Sequence, residues 1–163
     1  MRARPLLGEP LPLDLVDTLW NDHGTQVDYF DDEGAAESWL AEHGLPGQED
    51  HLVETRQALR AALQGDEAPL DAVLEHGSVR PGLRGERVIV DDPSWHAAWV
   101  VAADFVRLMG ERPDRVRKCA NPECLLWFLD ISKNGSRRWC SMEKCGNRAK
   151  VGRFHQRHRK DHD

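Results

Sequence analysis

All four cysteines of this 163-residue chain fall in one short window, as Cys119-x4-Cys124-x15-Cys140-x4-Cys145. Two close pairs separated by a short insert suit a tetrahedral zinc ion, whose four ligands must converge on one point while the chain between them folds back. The insert supplies that return. Leu125 to Leu129 is strand-like, Asn134-Gly135 is a turn signal, and Arg137-Arg138-Trp139 predicts a second strand running into Cys140. Ser141 then caps a helix starting near Met142, placing Cys145 in its first turns, where the positive helix end and Lys144 favour a thiolate. The alternatives are two disulfides or four thiols in a core. Zinc is favoured over both, because cytosolic thiols stay reduced and Met1 to Pro10 has neither the apolar stretch nor the cleavage site of a secretory signal. Four thiolates leave no open position for water, so the single ion is structural rather than catalytic.

The charges divide the chain at the same place. Residues 1–112 hold 9 Arg and no Lys against 22 acids, a net of −13, whereas residues 113–163 hold 13 Lys plus Arg against 6 acids, a net of +7. A formal net charge of −6 conceals this reversal. It predicts two functional parts, with the basic one meeting a polyanion. No apolar run approaches the roughly 18 residues a membrane span needs, so no membrane partner is expected and the expected address is cytoplasmic.

Apolar residues at three- and four-residue spacings make the acidic part mainly helical. A first helix carries Leu13, Val16, Leu19 and Trp20 and stops before Gly24. A second, with Ala36, Trp39 and Leu40, ends at Gly44. A third runs from about Glu49 to Gln64 with Leu52, Val53, Leu59, Ala62 and Leu63 inward, and a shorter fourth spans Leu70 to Glu75. The period then changes: Val79 and Arg87-Val88-Ile89-Val90, around Pro81-Gly82 and Gly85, predict a small hairpin. The strongest helix follows, with Asp92 as cap, Pro93 in the first turn and a stripe of Trp95, Ala98, Trp99, Ala102, Phe105, Val106 and Met109. Core packing is the favoured role for the tryptophans over an aromatic ligand cage. The acids Asp14, Asp17, Asp22, Asp28, Asp31, Asp32 and Glu33 read as a solvated surface rather than a cation site.

From Met142 to Lys160 there are seven Lys or Arg against the single acid Glu143. On a helical projection Lys150, Arg153, Arg157 and Lys160 form one stripe, long enough to follow a phosphate backbone, and Lys133, Arg137 and Arg138 on the hairpin extend it. Asn147 and Arg148 are of the types that read base edges. Arg148 is equally suited to bonding hairpin carbonyls or balancing the zinc-thiolate charge. His155, His158 and His162 could make a second metal site, but exposed residues of a basic tail are the favoured reading.

Trp139-Cys140-Ser141-Met142-x-x-Cys145-Gly146-Asn147-Arg148-Ala149-Lys150, preceded by Phe128-x-Asp130-x-Ser132 and Arg137-Arg138, resembles the CGNR zinc-finger family. In that family the finger follows an ABATE domain, regarded as a stress-induced transcription regulator. Here Leu13-Asp14-Leu15-Val16-Asp17-Thr18-Leu19 resembles that domain's opening motif, with Asp17 where the family often has Asn, and Trp39-Leu40-x-x-x-Gly44-Leu45 resembles its next element. The resemblance implies zinc at Cys119, Cys124, Cys140 and Cys145 and nucleic-acid contact from the helix after Cys145.

The expected architecture is mainly α with minor β: an acidic helical domain with a small β-hairpin over residues 1–112, then a treble-clef-like four-cysteine zinc finger of hairpin and helix over 113–163. The expected function is a bacterial transcription regulator binding double-stranded DNA, its N-terminal domain sensing a small-molecule effector or forming a homodimer. The rival is an adaptor whose finger meets an acidic protein or RNA. No phosphate loop, H-E-x-x-H, G-x-S-x-G or G-x-G-x-x-G motif occurs, so an enzyme is not expected.

Overall fold

The computed structural model describes residues 2–46 and 49–147. The elements follow in the order α1 (Leu11–Val16), β1 (Leu19–Asp22), β2 (Thr25–Asp28), α2 (Ala35–Glu42), α3 (Leu52–Ala62), α4 (Ala68–Leu74), β3 (Gly77–Arg80), β4 (Arg87–Val90), α5 (His96–Glu111), β5 (Val116–Lys118) and β6 (Trp127–Leu129). The strands make three separate antiparallel two-stranded ladders, β1-β2, β3-β4 and β5-β6.

The predicted first helix stops early. Its periodicity runs on through Leu19 and Trp20, but those residues form β1, paired with β2 from Leu19↔Asp28 to Asp22↔Thr25. The cause is local. Thr18 turns its hydroxyl back onto the Leu15 carbonyl at 2.7 Å, and His23 and Gly24 both take left-handed backbone angles, φ 50° and 90°. Two consecutive positive φ values make the two-residue turn whose twist matches a hairpin, and glycine takes the second at no steric cost.

Helix α5 is the centre of the packing, contacting α1, α3, α4 and β4. Trp95, Ala98, Trp99, Ala102 and Phe105 of its predicted stripe are buried, joined by Ala97, Val101 and Leu108. Val106 on α5 and Val53 on α3 were expected inward; they are 50% and 41% exposed, because each falls on the shoulder of its helix's apolar arc. The tryptophans pack as core: Trp20, Trp39, Trp95 and Trp99 are all buried. Trp95 is sandwiched between His51 and His76, with ring centroids 3.6 and 3.7 Å away and planes within 9° of parallel. Gly77 lets β3 lie directly on Trp99, where an added Cβ would meet the indole at 2.6 Å.

Two of the acids read as surface are interior. Asp14 accepts hydrogen bonds from Trp39 Nε1 at 2.7 Å and from His43 Nε2 at 3.0 Å, and pairs with the buried Arg4. Asp17 is also buried, for a reason that lies across the chain in β6.

After α5 the chain passes through a single turn at Pro113–Arg115 into β5. The predicted finger hairpin is corrected here. β6 pairs with β5, from Val116↔Leu129 to Lys118↔Trp127, and not with Arg137-Arg138-Trp139. The Cys119–Cys124 knuckle is thus the turn of the hairpin, closed by Cys119 N–H on the Leu126 carbonyl at 3.0 Å. The segment from Arg137 returns outside the ladder. Its Arg137 N–H donates to Asp130 Oδ2 at 3.0 Å, and Ala120 N–H donates to the Arg138 carbonyl at 2.8 Å.

One hydrophobic core runs across Pro113. Leu126, Phe128 and the four cysteines join Leu15, Val16, Trp20 and the α5 residues, while Leu13, Leu108 and Leu129 form a smaller cluster beside it. The edge of β6 facing away from β5 is closed by carboxylates of the acidic part: Trp127 N–H donates to Asp17 Oδ1 at 2.9 Å and Leu129 N–H to Glu9 Oε2 at 2.8 Å. An open strand edge is a template for unwanted pairing, and these two acids occupy it.

Candidate metal centre and nucleic-acid interface

The knuckle brings Cys119 and Cys124 to one side of the centre, and the return segment brings Cys140 and Cys145 to the other. All four side chains are buried and their sulfurs lie within 4.8 Å of one another. Cys124 and Cys140 Sγ are 3.8 Å apart, and Cys140 and Cys145 Sγ 3.6 Å. Zinc–sulfur bonds of about 2.3 Å set a tetrahedral edge of about 3.8 Å. A disulfide needs about 2.05 Å, so the tetrad has the spacing of a metal site and not of two cross-links.

The surroundings are arranged for negative sulfur. The Cys140 N–H points at Cys119 Sγ at 3.4 Å, and Asn121 Nδ2 at Cys145 Sγ at 3.5 Å. Asn121 was not singled out from the sequence, although its place inside the knuckle is a signal that a ligand loop needs a side-chain donor. Without a cation the four thiols must share charge. Hydrogen bonds from the Cys124 and Cys140 thiols draw Cys119 down to about 2; the same thiolate pushes Cys124 up to about 12 and raises Cys140 as well. A dication at the centre removes that conflict and lets all four become thiolates.

Ser141 caps the last described turn, Met142–Gly146, accepting from Lys144 N–H at 3.4 Å, as the sequence predicts. The turn is of the wide π type: Gly146 N–H reaches five residues back to the Ser141 carbonyl at 3.0 Å. A Cβ at Gly146 would stand 2.7 Å from Met142 Sδ, so a larger residue there would push the exposed Met142 side chain aside.

Of the residues expected to touch nucleic acid, Lys133 and Arg138 are exposed on the finger's outer loops, and Arg138 lies 5.4 Å over the Trp139 ring. Asn147 is exposed at the end of the π turn, with Nδ2 3.4 Å from the Glu143 carbonyl. Arg137 has a different environment. Its guanidinium donates to the carbonyls of Trp139 at 3.0 Å and Cys140 at 2.5 Å, pairs with Glu9 at 3.6 Å and covers the Phe128 ring at 4.2 Å. It clamps the return segment to the acidic part. Arg148, Lys150, Arg153, Arg157 and Lys160 lie outside the described residues, as do His155, His158 and His162.

Asp130 organises the loop between β6 and the return segment. It accepts from Ser132 N–H at 2.9 Å, Ser132 Oγ at 2.5 Å and Arg137 N–H at 3.0 Å, and the Ser132 bonds hold its carboxyl below the usual range. On the other side of Phe128, burial pushes the Asp17 carboxyl well above its usual range, against the Trp127 N–H and the nearby Arg60; Asp17 Oδ2 has no hydrogen-bond partner among the described residues. Burial raises Glu9 in the same way, opposed by the Leu129 N–H and Arg137.

A mainly helical body with small hairpins, holding a buried four-cysteine centre on its basic side, defines a zinc-scaffolded protein in which the metal builds structure. Residues 9–112 match the ABATE family model, described as "Putative stress-induced transcription regulator", and residues 115–158 match the CGNR zinc finger. The chain belongs to the ABATE family and carries a CGNR zinc finger, whose cysteines are positioned for one structural zinc ion. That description names a class of regulator and no enzyme class. No curated protein matches the chain. Among the described residues, no helix is long and apolar enough to cross a membrane.

Proposed function

We propose that this protein is a cytoplasmic transcription regulator that binds double-stranded DNA through its finger, with residues 1–112 acting as the sensing or oligomerisation module and residues 113–163 as the reading module. The observation that carries the reading is the coincidence of the cysteine tetrad with the +7 part of the chain: the metal fixes the turn from which the basic segment 142–160 departs. The knuckle, the hairpin it closes and the capped turn carrying Cys145 support a treble-clef arrangement. Effector sensing by residues 1–112 is part of this reading; the groove of about 590 Å³ between the two parts, bounded by Arg2, Trp20, His23 and Lys144, is also lined by Cys124, Cys140 and Cys145 and so includes the metal's own place.

The test is a salt titration of zinc-loaded full-length protein on a labelled duplex. Each phosphate neutralised contributes about −0.9 to the slope of log K against log salt. Replacing Lys133 and Arg138 together by Ala flattens the slope by up to roughly 2. Replacing Arg153 and Arg157 weakens binding to every duplex. Folded, zinc-loaded wild type that binds no duplex at low salt overturns the reading.

A further inference from the structure

We propose that the β3-β4 hairpin is a second DNA contact, an arm that lays Arg80, Arg84 and Arg87 against duplex phosphates. It rests on the DNA-binding reading above and adds a surface in the acidic part that neither family match describes.

The pleat divides the hairpin into two faces. Gly77, Val88 and Val90 are half-buried on the face toward α5, where Gly77 abuts Trp99. Ser78, Arg80, Arg87 and Ile89 are exposed on the other face. Arg80 and Arg87 stand directly opposite each other in the ladder. Two like charges at paired positions destabilise a hairpin, and no direct ion pair offsets them: among the described residues, no carboxylate, Glu86 of the same turn included, lies within ion-pair distance of Arg80, Arg84 or Arg87.

Most arginines of this part, which has 22 acids, are engaged. Arg2 pairs with Asp32, Arg4 with Asp14 and Glu42, Arg56 with Asp28, and Arg107 with Asp104, while Arg60 is spent on the carbonyls of Val16 and Leu19; outside the hairpin, Arg112 alone of the nine has no side-chain partner among the described residues. The hairpin gathers three free cations at one protruding tip, around the fully exposed Leu83 and the Gly82–Gly85 turn. A two-stranded ribbon with arginine flanks and an apolar tip has the size and chemistry that enter a DNA groove, with guanidinium groups on the adjoining phosphates.

The experiment compares zinc-loaded full-length wild type with R80Q/R84Q/R87Q and R80K/R84K/R87K on the same duplex over a range of salt. Three lost phosphate contacts flatten the slope by roughly 2 to 3 and cut affinity on the order of 10-fold at moderate salt; the lysine variant retains most of both. The glutamine variant keeps its zinc and melts no lower than wild type, because the Arg80–Arg87 repulsion is gone. Unchanged slope and affinity in the glutamine variant, with binding lost on removing Lys133 and Arg138, overturns the arm and leaves the finger's role standing. A lysine variant as weak as the glutamine variant overturns it, as does a loss seen only with RNA. Wild type that binds no duplex overturns both readings.

Discussion

Truncating Phe128 to alanine is expected to destabilise the whole molecule by about 4 kcal/mol. The ring is 0% exposed and stands in the core shared by both parts, so the cavity and lost transfer energy come to about 3–5 kcal/mol. The Arg137 guanidinium over the ring, half-exposed as it is, adds about 0.5–1 kcal/mol. Against a total stability of about 5–15 kcal/mol for a domain of this size, that is roughly a quarter or more. Urea unfolding of the zinc-loaded protein, followed in parallel by far-ultraviolet circular dichroism and by zinc release to a chromogenic dye, measures it. The two probes report helices α1 to α5 and the finger separately. Both midpoints fall together, and Phe128→Leu, which keeps most of the volume, loses about 1.5 kcal/mol or less. A loss below about 2 kcal/mol for the alanine variant, or a helical midpoint that stays at the wild-type value while zinc is released early, refutes the argument that one core spans Pro113.

Removing the metal tests the same coupling from the other end. Cys140→Ser, or a strong chelator on the reduced wild type, abolishes stoichiometric zinc; because structural zinc contributes about 10–16 kcal/mol in finger peptides, the finger unfolds and helical melting shifts down with it. Elemental analysis finding reduced, chelator-free wild type without zinc contradicts the site. Asp17→Asn is expected to stabilise the protein at neutral pH. Its folded carboxyl lies above the unfolded value of about 3.9, so its contribution is fully present below that pH and is lost as pH rises through the folded value. The advantage of the Asn variant therefore shrinks towards pH 4 in denaturant titrations, and a constant gap between pH 4 and pH 8 counts against it.

The metal site was legible because sulfur spacing is a local property of the chain, and Ser141 and Cys145 fell where their neighbours dictate. Helices α2 to α5 and the β3-β4 hairpin were legible from periodicity and from glycines at turns. The failures share a cause. Leu19 and Trp20 continue a helical period on paper, yet the Thr18 hydroxyl and the His23-Gly24 turn divert them into β1. Val116 to Lys118 and Arg137 to Trp139 are comparable candidates to pair with β6, and only closure of the knuckle by Cys119 on Leu126 selects the former. Arg137 counts as one more positive charge in the sequence; its tie to Glu9, at the other end of the chain, is a product of the tertiary fold. Burial of Asp17 is likewise set by a strand 110 residues away.

The two carboxylates that close the outer edge of β6 mean that the finger is not a bead to be cut off and strung elsewhere. Severed at Pro113, it leaves with two backbone donors bare and one aromatic face wet, and the body it leaves behind keeps two acids with nothing to hold. Finger and body therefore fold as one piece, and a change that loosens Glu9 or Asp17 is felt at a cysteine centre that neither of them touches.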